Sequence, residues 1–163
     1  MVRLKAAGAR LVVVTNQSGI ARGLITTRQL EAIHARLRTD LAGRGVELDG
    51  LYVCPHHPDD GCACRKPRTG MVEQSRRESN LNTQWEYVIG DAERDVELGR
   101  RIGARTVRIL SGSSDGVPTP PAAGAGTEAD CVAPQFAEAV AWILEDVQRR
   151  RGAEVAMSGR ISQ

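Results

Sequence analysis

The feature that most constrains the fold of this chain is a series of short, β-branched apolar runs separated by helical segments. Unbroken apolar runs are typical of strands that are covered on both faces, as in parallel sheets. Residues 11–14 form such an unbroken run, and further strands are predicted at 51–53, 87–89 and 106–110, with a shorter candidate at 131–132. The alternation of strands and helices therefore predicts an α/β fold around a parallel sheet.

Helices are predicted between these strands from apolar spacing and from end signals. A first helix ends at Gly8, and further helices are predicted over residues 71–79, 96–102 and 136–150. Thr26 and Gln29 have the spacing of a capping box. The apolar residues that follow this box at helical spacing are Leu30, Ile33, Leu37 and Leu41.

Length and composition limit the class of protein. A chain of 163 residues suits one domain, predicted over residues 1–150, with a flexible loop over 111–127 and a flexible tail over 151–163. A net charge of +2 gives no reason to expect a nucleic-acid or membrane partner. The first residues lack the apolar centre of a signal peptide. We therefore expect a cytoplasmic monomer.

The strongest local motif is Cys54-Pro55-His56 followed by Cys62-Ala63-Cys64. Side chains two residues apart in extended chain point to the same side, so the two arms present four soft donors: Cys54, His56, Cys62 and Cys64. A Cys₃His set is typical of structural zinc, with no position left for water. His57 is the alternative to His56, and His34 and Cys131 are expected to be ordinary surface and core residues.

Polar groups also follow the first apolar run, as Thr15-Asn16-Gln17-Ser18-Gly19. They lie at the carboxyl end of a strand, where open α/β sheets bind ligands, and they could hold phosphate oxygens. The same residues are also compatible with a plain turn.

Asp91 follows the strand at 87–89, and Asp95 comes four residues later. Carboxylates at this edge of a sheet suit Mg²⁺. The alternative is that Asp91 caps the next helix while Asp95 complements the helix dipole.

Arg65-Lys66-Pro67 comes directly after the last candidate zinc ligand. A metal that fixes this loop would also fix the residues beside it. Lys66 could then neutralise a transferring phosphoryl group, and Arg65 could bind a second phosphate or a sugar hydroxyl. Taken alone, the pair is equally typical of a solvated surface.

In this order, the four motifs resemble those of the HAD superfamily. More narrowly, they resemble the zinc-containing D-glycero-D-manno-heptose 1,7-bisphosphate phosphatases and the related histidinol-phosphate phosphatases. The matching stretches are 13–23, 54–58, 62–67 and 90–95. The resemblance runs to about Leu110 and implies a HAD-like (Rossmannoid) three-layer fold with a parallel sheet and a zinc-stabilised loop.

The resemblance also implies a role for each residue. Thr15 would bond the transferring phosphoryl group and Lys66 would stabilise its charge, so both are candidate catalytic and substrate-binding residues. Asp91 would bind catalytic Mg²⁺, with support from Asp95. The remaining substrate-binding candidates are Asn16, Gln17, Ser18 and Arg65.

The family's first motif, Asp-x-Asp-Gly-Thr, supplies the nucleophile and the general acid, and no Asp-x-Asp occurs in this sequence. The resemblance places that motif on a strand between those that end at Thr15 and Asp91. One explanation is a longer phosphatase polypeptide. The others are a non-catalytic zinc-containing binding protein and a strand supplied by another chain.

The implied substrate is a phosphorylated sugar or related phosphomonoester. Arg65 favours heptose bisphosphate, cleaved at the 7-phosphate in heptose nucleotide biosynthesis, over histidinol phosphate. We expect the chain alone to be inactive without the Asp nucleophile.

Overall fold

The structure, a computed structural model, describes residues 1–79, 84–111 and 128–158. The chain divides into two compact units, Met1–Thr83 and Gln84–Gln163. No helix within the described ranges is both long and apolar enough to cross a membrane. The predicted loop beyond residue 111 and the last five residues lie outside the described residues. The single domain over residues 1–150 stays a prediction.

The first unit is a two-stranded parallel sheet with helices, and its register pairs Val12 with Gly50 and Asn16 with Cys54. Its elements are α1 (Val2–Ala6), β1 (Val12–Asn16), α2 (Thr27–Ala42), β2 (Gly50–Cys54), a 3₁₀ helix (Pro58–Asp60) and α3 (Gly70–Ser79). Its core forms around Tyr52, Cys54 and Met71. This core places the carboxyl ends of β1 and β2 directly beside the Cys/His loop.

End signals set the helix bounds in the first unit. The Thr26 hydroxyl accepts a hydrogen bond from the Gln29 N–H at 3.2 Å, and the Gln29 side chain accepts one from the Thr26 N–H at 2.8 Å, so the capping box is formed. Ile33 is 57% exposed, although it was predicted to lie on the apolar face. The face that packs is the one that carries Leu30, which is buried.

The second unit is a three-stranded parallel sheet in the order β3-β4-β5. Its elements are β3 (Tyr87–Gly90), α4 (Glu93–Arg101), β4 (Arg105–Ile109), β5 (Cys131–Ala133) and α5 (Phe136–Ser158). Helix α5 continues past Arg150, where the sequence analysis ended it, because Ala, Glu, Val and Met are compatible with a helix after Gly152. Residues 151–157 are exposed. The described part of the predicted tail is therefore helical.

Asp146 on α5 anchors the amino ends of β3 and β4. Its carboxylate accepts hydrogen bonds from the Tyr87 hydroxyl at 2.9 Å and from the Arg105 guanidinium at 3.3 Å. Arg149 and Arg150, on the same helix, also bond it. Burial raises the pKa of Asp146, but these hydrogen bonds and positive charges outweigh burial and hold it below its usual value. Burial and the neighbouring Asp146 raise the pKa of Tyr87 to about 12.

We expect Asp146→Ala to lower the free energy of unfolding of the second unit by about 2–4 kcal/mol, measured by urea denaturation. Removing one partner of a buried ion pair costs about 3–5 kcal/mol, and the solvent contact of the arginines reduces that. Because its folded pKa is depressed, Asp146 stabilises the unit above its unfolded pKa, and this stability is lost as pH falls through the folded pKa.

The matched control is Asp40→Ala, which removes the exposed Arg36–Asp40 pair and should cost about 0–1 kcal/mol. Equal effects of the two substitutions would contradict the anchoring role of Asp146.

Candidate functional site

The end of β1 presents Thr15 beside two amide side chains. Gln17 continues the ladder, its N–H bonding the Cys54 carbonyl at 2.8 Å, and a turn follows that includes Ser18. The Gln17 side-chain amide donates to the Thr15 hydroxyl oxygen at 3.0 Å. Because the hydroxyl oxygen accepts this bond, the hydroxyl hydrogen remains available to donate to a phosphate oxygen.

Lys66 is held at the same strand end. Its N–H donates to Asn16 Oδ1 at 3.0 Å, and Asn16 Nδ2 donates to the Lys66 carbonyl at 3.2 Å. The Lys66 ammonium donates to the Val14 carbonyl at 2.9 Å. The structure therefore attaches Lys66 to Val14 and Asn16, the two neighbours of Thr15, a residue predicted from a separate motif to act on the same phosphoryl group.

The Lys66 ammonium lies on the edge of β1 that faces away from β2. Backbone bonds at both ends of the β1–β2 ladder use Leu11 and Gln17, and successive residues of a strand bond to opposite edges. The odd-numbered residues of β1 therefore face β2, and the Val14 carbonyl faces the other edge. That edge has no strand partner among the described residues.

Arg65 contributes a second positive group beside Lys66. Its Nη1 atom is buried and has no hydrogen-bond partner within the described ranges. A buried guanidinium nitrogen without a partner is unfavourable, and an anion would satisfy it. This atom is therefore the best candidate for a second anionic contact.

The four predicted metal donors lie together at the end of β2. The Cys54 sulfur is 3.6 Å from both His56 Nδ1 and the Cys62 sulfur, and the Cys64 sulfur is 3.1 Å from His56 Nδ1 and 3.5 Å from the Cys62 sulfur. All four ligand atoms lie within 4.8 Å of one another. Such a group could hold a metal ion.

The sulfurs of the cluster affect one another's ionisation. Burial and the neighbouring Cys54 and Cys62 sulfurs raise the pKa of Cys64 to about 12. Burial also raises the pKa of Cys62, but hydrogen bonds from Cys64, Cys54 and the backbone N–H of Arg65 outweigh it and lower this pKa. A divalent cation would stabilise all the thiolates at once.

The other candidate ligands are placed elsewhere. The His57 side chain accepts a hydrogen bond from the Asp59 N–H at 3.4 Å and caps the 3₁₀ helix, and it does not belong to the cluster. Cys131 starts β5 in the second unit, where burial raises the pKa of its thiol.

Asp91 and Asp95 follow β3 in the second unit. Ala92, not Asp91, occupies the N-cap position of helix α4, so the alternative role for Asp91 is not observed. Asp95 is buried, and its carboxylate accepts from the Ala92 N–H at 3.2 Å. The Asp91 carboxylate has no hydrogen bond or ion pair with any described residue, which leaves it available for a cation.

Two features of the site were missed by the sequence analysis. Gly90 leaves room for Asp95, because a Cβ at position 90 would lie 2.2 Å from the Asp95 Cβ. Asn16 bonds the backbone of a residue 50 positions away. The Asn16 contact has no local sequence signal. Gly90 has a weak one, because a glycine at the end of a strand often marks a place where another group comes close to the backbone.

Parallel α/β units carry Thr15 near the end of one strand and Asp91 directly after another, and Lys66 is bonded to the strand that holds Thr15. Comparisons with known proteins identify the class of protein to which these features belong. A family model described as HAD-hydrolase-like matches residues 63–139. The D-glycero-beta-D-manno-heptose-1,7-bisphosphate 7-phosphatase of Pseudomonas putida is 39% identical over 71% of this chain and 66% of its own length. The corresponding enzyme of Salmonella typhi is 38% identical over 71% of this chain and 68% of its own.

A solved structure agrees with these relatives. The D,D-heptose 1,7-bisphosphate phosphatase from B. bronchiseptica, complexed with magnesium and phosphate, superposes with a TM-score of 0.73 and 33% identity, covering 88% of this chain and 79% of that one. The chain belongs to the HAD-like hydrolases and, within them, to the heptose bisphosphate phosphatase family. The predicted HAD-like fold is confirmed. The chain spans 60–66% of the length of the first three relatives.

We expect Gly90→Ala to destabilise the second unit by about 1–3 kcal/mol, measured by urea denaturation, because the added methyl group would displace the buried Asp95. Gly152→Ala is the control. Nothing lies within 4 Å of its added Cβ on α5, so a gain of about 0.5–1 kcal/mol is expected. A neutral Gly90→Ala would contradict the close packing.

Proposed function

We propose that the chain is the zinc-binding and substrate-holding part of a phosphatase that removes the 7-phosphate of D-glycero-D-manno-heptose 1,7-bisphosphate. The observation that carries this proposal is the Lys66 ammonium on the unpaired edge of β1, bonded to the carbonyl of Val14, the residue before Thr15. By the family resemblance, the strand with the Asp nucleophile would lie along that edge. A phosphoryl group attacked there would meet the Lys66 ammonium and the Thr15 hydroxyl.

The proposed roles follow from charge and geometry. Lys66 neutralises the transferring phosphoryl group, and the Thr15 hydroxyl, oriented by Gln17, donates to one of its oxygens. Ser18 lies in the adjoining turn and lines the pocket. Arg65, with its unpartnered Nη1, binds the second phosphate, which favours a bisphosphate over histidinol phosphate. The names of the relatives support the same choice.

Asp91 is the proposed magnesium ligand, and Asp95 supports it. Asp91 is a hard oxygen donor directly after β3, and its carboxylate has no partner among the described residues. The Asp95 carboxylate accepts from the Ala92 N–H in the loop that follows Asp91. When bound, Mg²⁺ supplies positive charge for the phosphoryl oxygens. The magnesium in the solved relative from B. bronchiseptica is consistent with this assignment.

The donors Cys54, His56, Cys62 and Cys64 fit zinc. Tetrahedral zinc with Zn–N and Zn–S bonds of about 2.0–2.3 Å places its ligand atoms about 3.5–3.8 Å apart. Four of the six separations between these atoms, from 3.1 to 3.6 Å, are close to that spacing, and all six are within 4.8 Å. All four positions are then taken by protein, so the ion is structural.

We expect about one zinc per chain by metal analysis. Cys64→Ser should lose most of it, while Cys131→Ser, remote from the cluster, should keep it. Stripping the metal with a chelator should destabilise the first unit by several kcal/mol, because binding energy to such a site is also folding energy. Zinc content below about 0.2 per chain in carefully loaded protein would contradict the site.

Activity is tested with two proteins. The first is the 163-residue chain, which should release no phosphate from the heptose bisphosphate. The second carries the family's Asp-x-Asp-Gly-Thr strand and its connecting helix ahead of Met1, and it should release one phosphate per sugar, from carbon 7, in the presence of Mg²⁺. In that protein Lys66→Ala should lower kcat about 10²–10³-fold.

Two outcomes would oppose the proposal. A fused protein that is folded and loaded with zinc but releases no phosphate would support a non-catalytic binding protein. Faster turnover of histidinol phosphate than of the heptose bisphosphate would overturn the proposed substrate.

A further inference from the structure

Asn16 makes an unusual pair of contacts for a residue predicted to bind substrate. It is the last residue of β1, and its side-chain amide bonds both backbone groups of one residue, donating to the Lys66 carbonyl at 3.2 Å and accepting from the Lys66 N–H at 3.0 Å. A side-chain amide in this arrangement replaces a neighbouring strand for a single residue.

These two bonds determine where the Lys66 side chain starts. When both the N–H and the carbonyl of a residue are held, rotation about its two backbone dihedrals is restricted, and the direction of its Cα–Cβ bond is set. From that point the side chain returns to β1, where the ammonium bonds the Val14 carbonyl at 2.9 Å. The two ends of Lys66 are therefore attached to residues on either side of Thr15.

We propose that Asn16 is a positioning residue that places the Lys66 ammonium, and that it acts on the reaction through Lys66. Its amide oxygen and one of its N–H groups are already used by the Lys66 backbone. Its importance for catalysis rests on the proposed function, because misplacing a phosphoryl-stabilising charge by about 1 Å costs about 10²-fold in rate. The placement itself is a property of the chain without substrate.

The lysine content allows a direct test. The chain has two lysines, Lys5 and Lys66, so selective ¹³C and ¹⁵N labelling of lysine gives two side-chain NMR signals. Lys5 pairs with Asp49 at 2.9 Å, across 44 residues of the same unit, and therefore reports whether that unit is folded. In zinc-loaded Asn16→Ala we expect the Lys66 signal to sharpen and move toward that of a solvated lysine, while the Lys5 signal stays unchanged.

Asn16→Asp keeps the acceptor for the Lys66 N–H, but it replaces the donor to the Lys66 carbonyl with a carboxylate oxygen that repels that carbonyl. It should shift the Lys66 signal in the same direction as Asn16→Ala does. If Asn16→Ala also loses the Lys5 signal, and so is unfolded, Asn16→Asp becomes the variant that tests the positioning role. The control, Gln74→Ala, removes an exposed amide that bonds Glu78 on α3 and should leave both signals in place.

An unmoved Lys66 signal in a variant that retains the Lys5 signal overturns the proposal. Because the measurement uses no substrate, its result is independent of the phosphate-release assay. Failure of the proposed function is therefore distinguishable from failure of the positioning role.

Discussion

The two hydrogen bonds between the Asn16 amide and the Lys66 backbone hold together the site in the first unit. The segment that connects β2 to α3 has little regular structure, and two of the features that fix it bear on the site. The Cys/His cluster holds its middle, and Asn16 holds its end. Without the two Asn16 bonds, the Lys66 backbone would lose this attachment to the end of β1, and the position of its ammonium would be less well defined.

The second unit places a buried anchoring carboxylate and an unpartnered carboxylate at opposite ends of one strand. Tyr87 and Arg105 begin β3 and β4, and both bond Asp146 on α5. Asp91 lies beyond the opposite end of β3. The arginines therefore neutralise a carboxylate that holds the fold, while a carboxylate at the other end of the same strand has no described partner. A sheet built in this way can carry a cation site without that site being needed for folding.

Much of the fold could be predicted from the sequence because its signals are local. The apolar runs predicted every strand to within two residues, and the Thr26–Gln29 box set the start of α2. The donors of the cluster were also predictable, because ligand type and spacing are written in eleven consecutive residues. What could not be predicted depends on distant partners. The exposure of Ile33 is decided by which helix face packs, and the contact between Asn16 and Lys66 crosses 50 positions.

The registers of the two sheets have a consequence for the order of folding. The β1–β2 ladder pairs Val12 with Gly50, a separation of 50 − 12 = 38 residues, whereas the β3–β4 ladder pairs Tyr87 with Arg105, a separation of 105 − 87 = 18. Doubling the length of a closing loop costs about 0.6 kcal/mol of chain entropy. The β3–β4 ladder therefore has the smaller entropic cost of formation, and we expect the unit with the Cys/His cluster to fold more slowly.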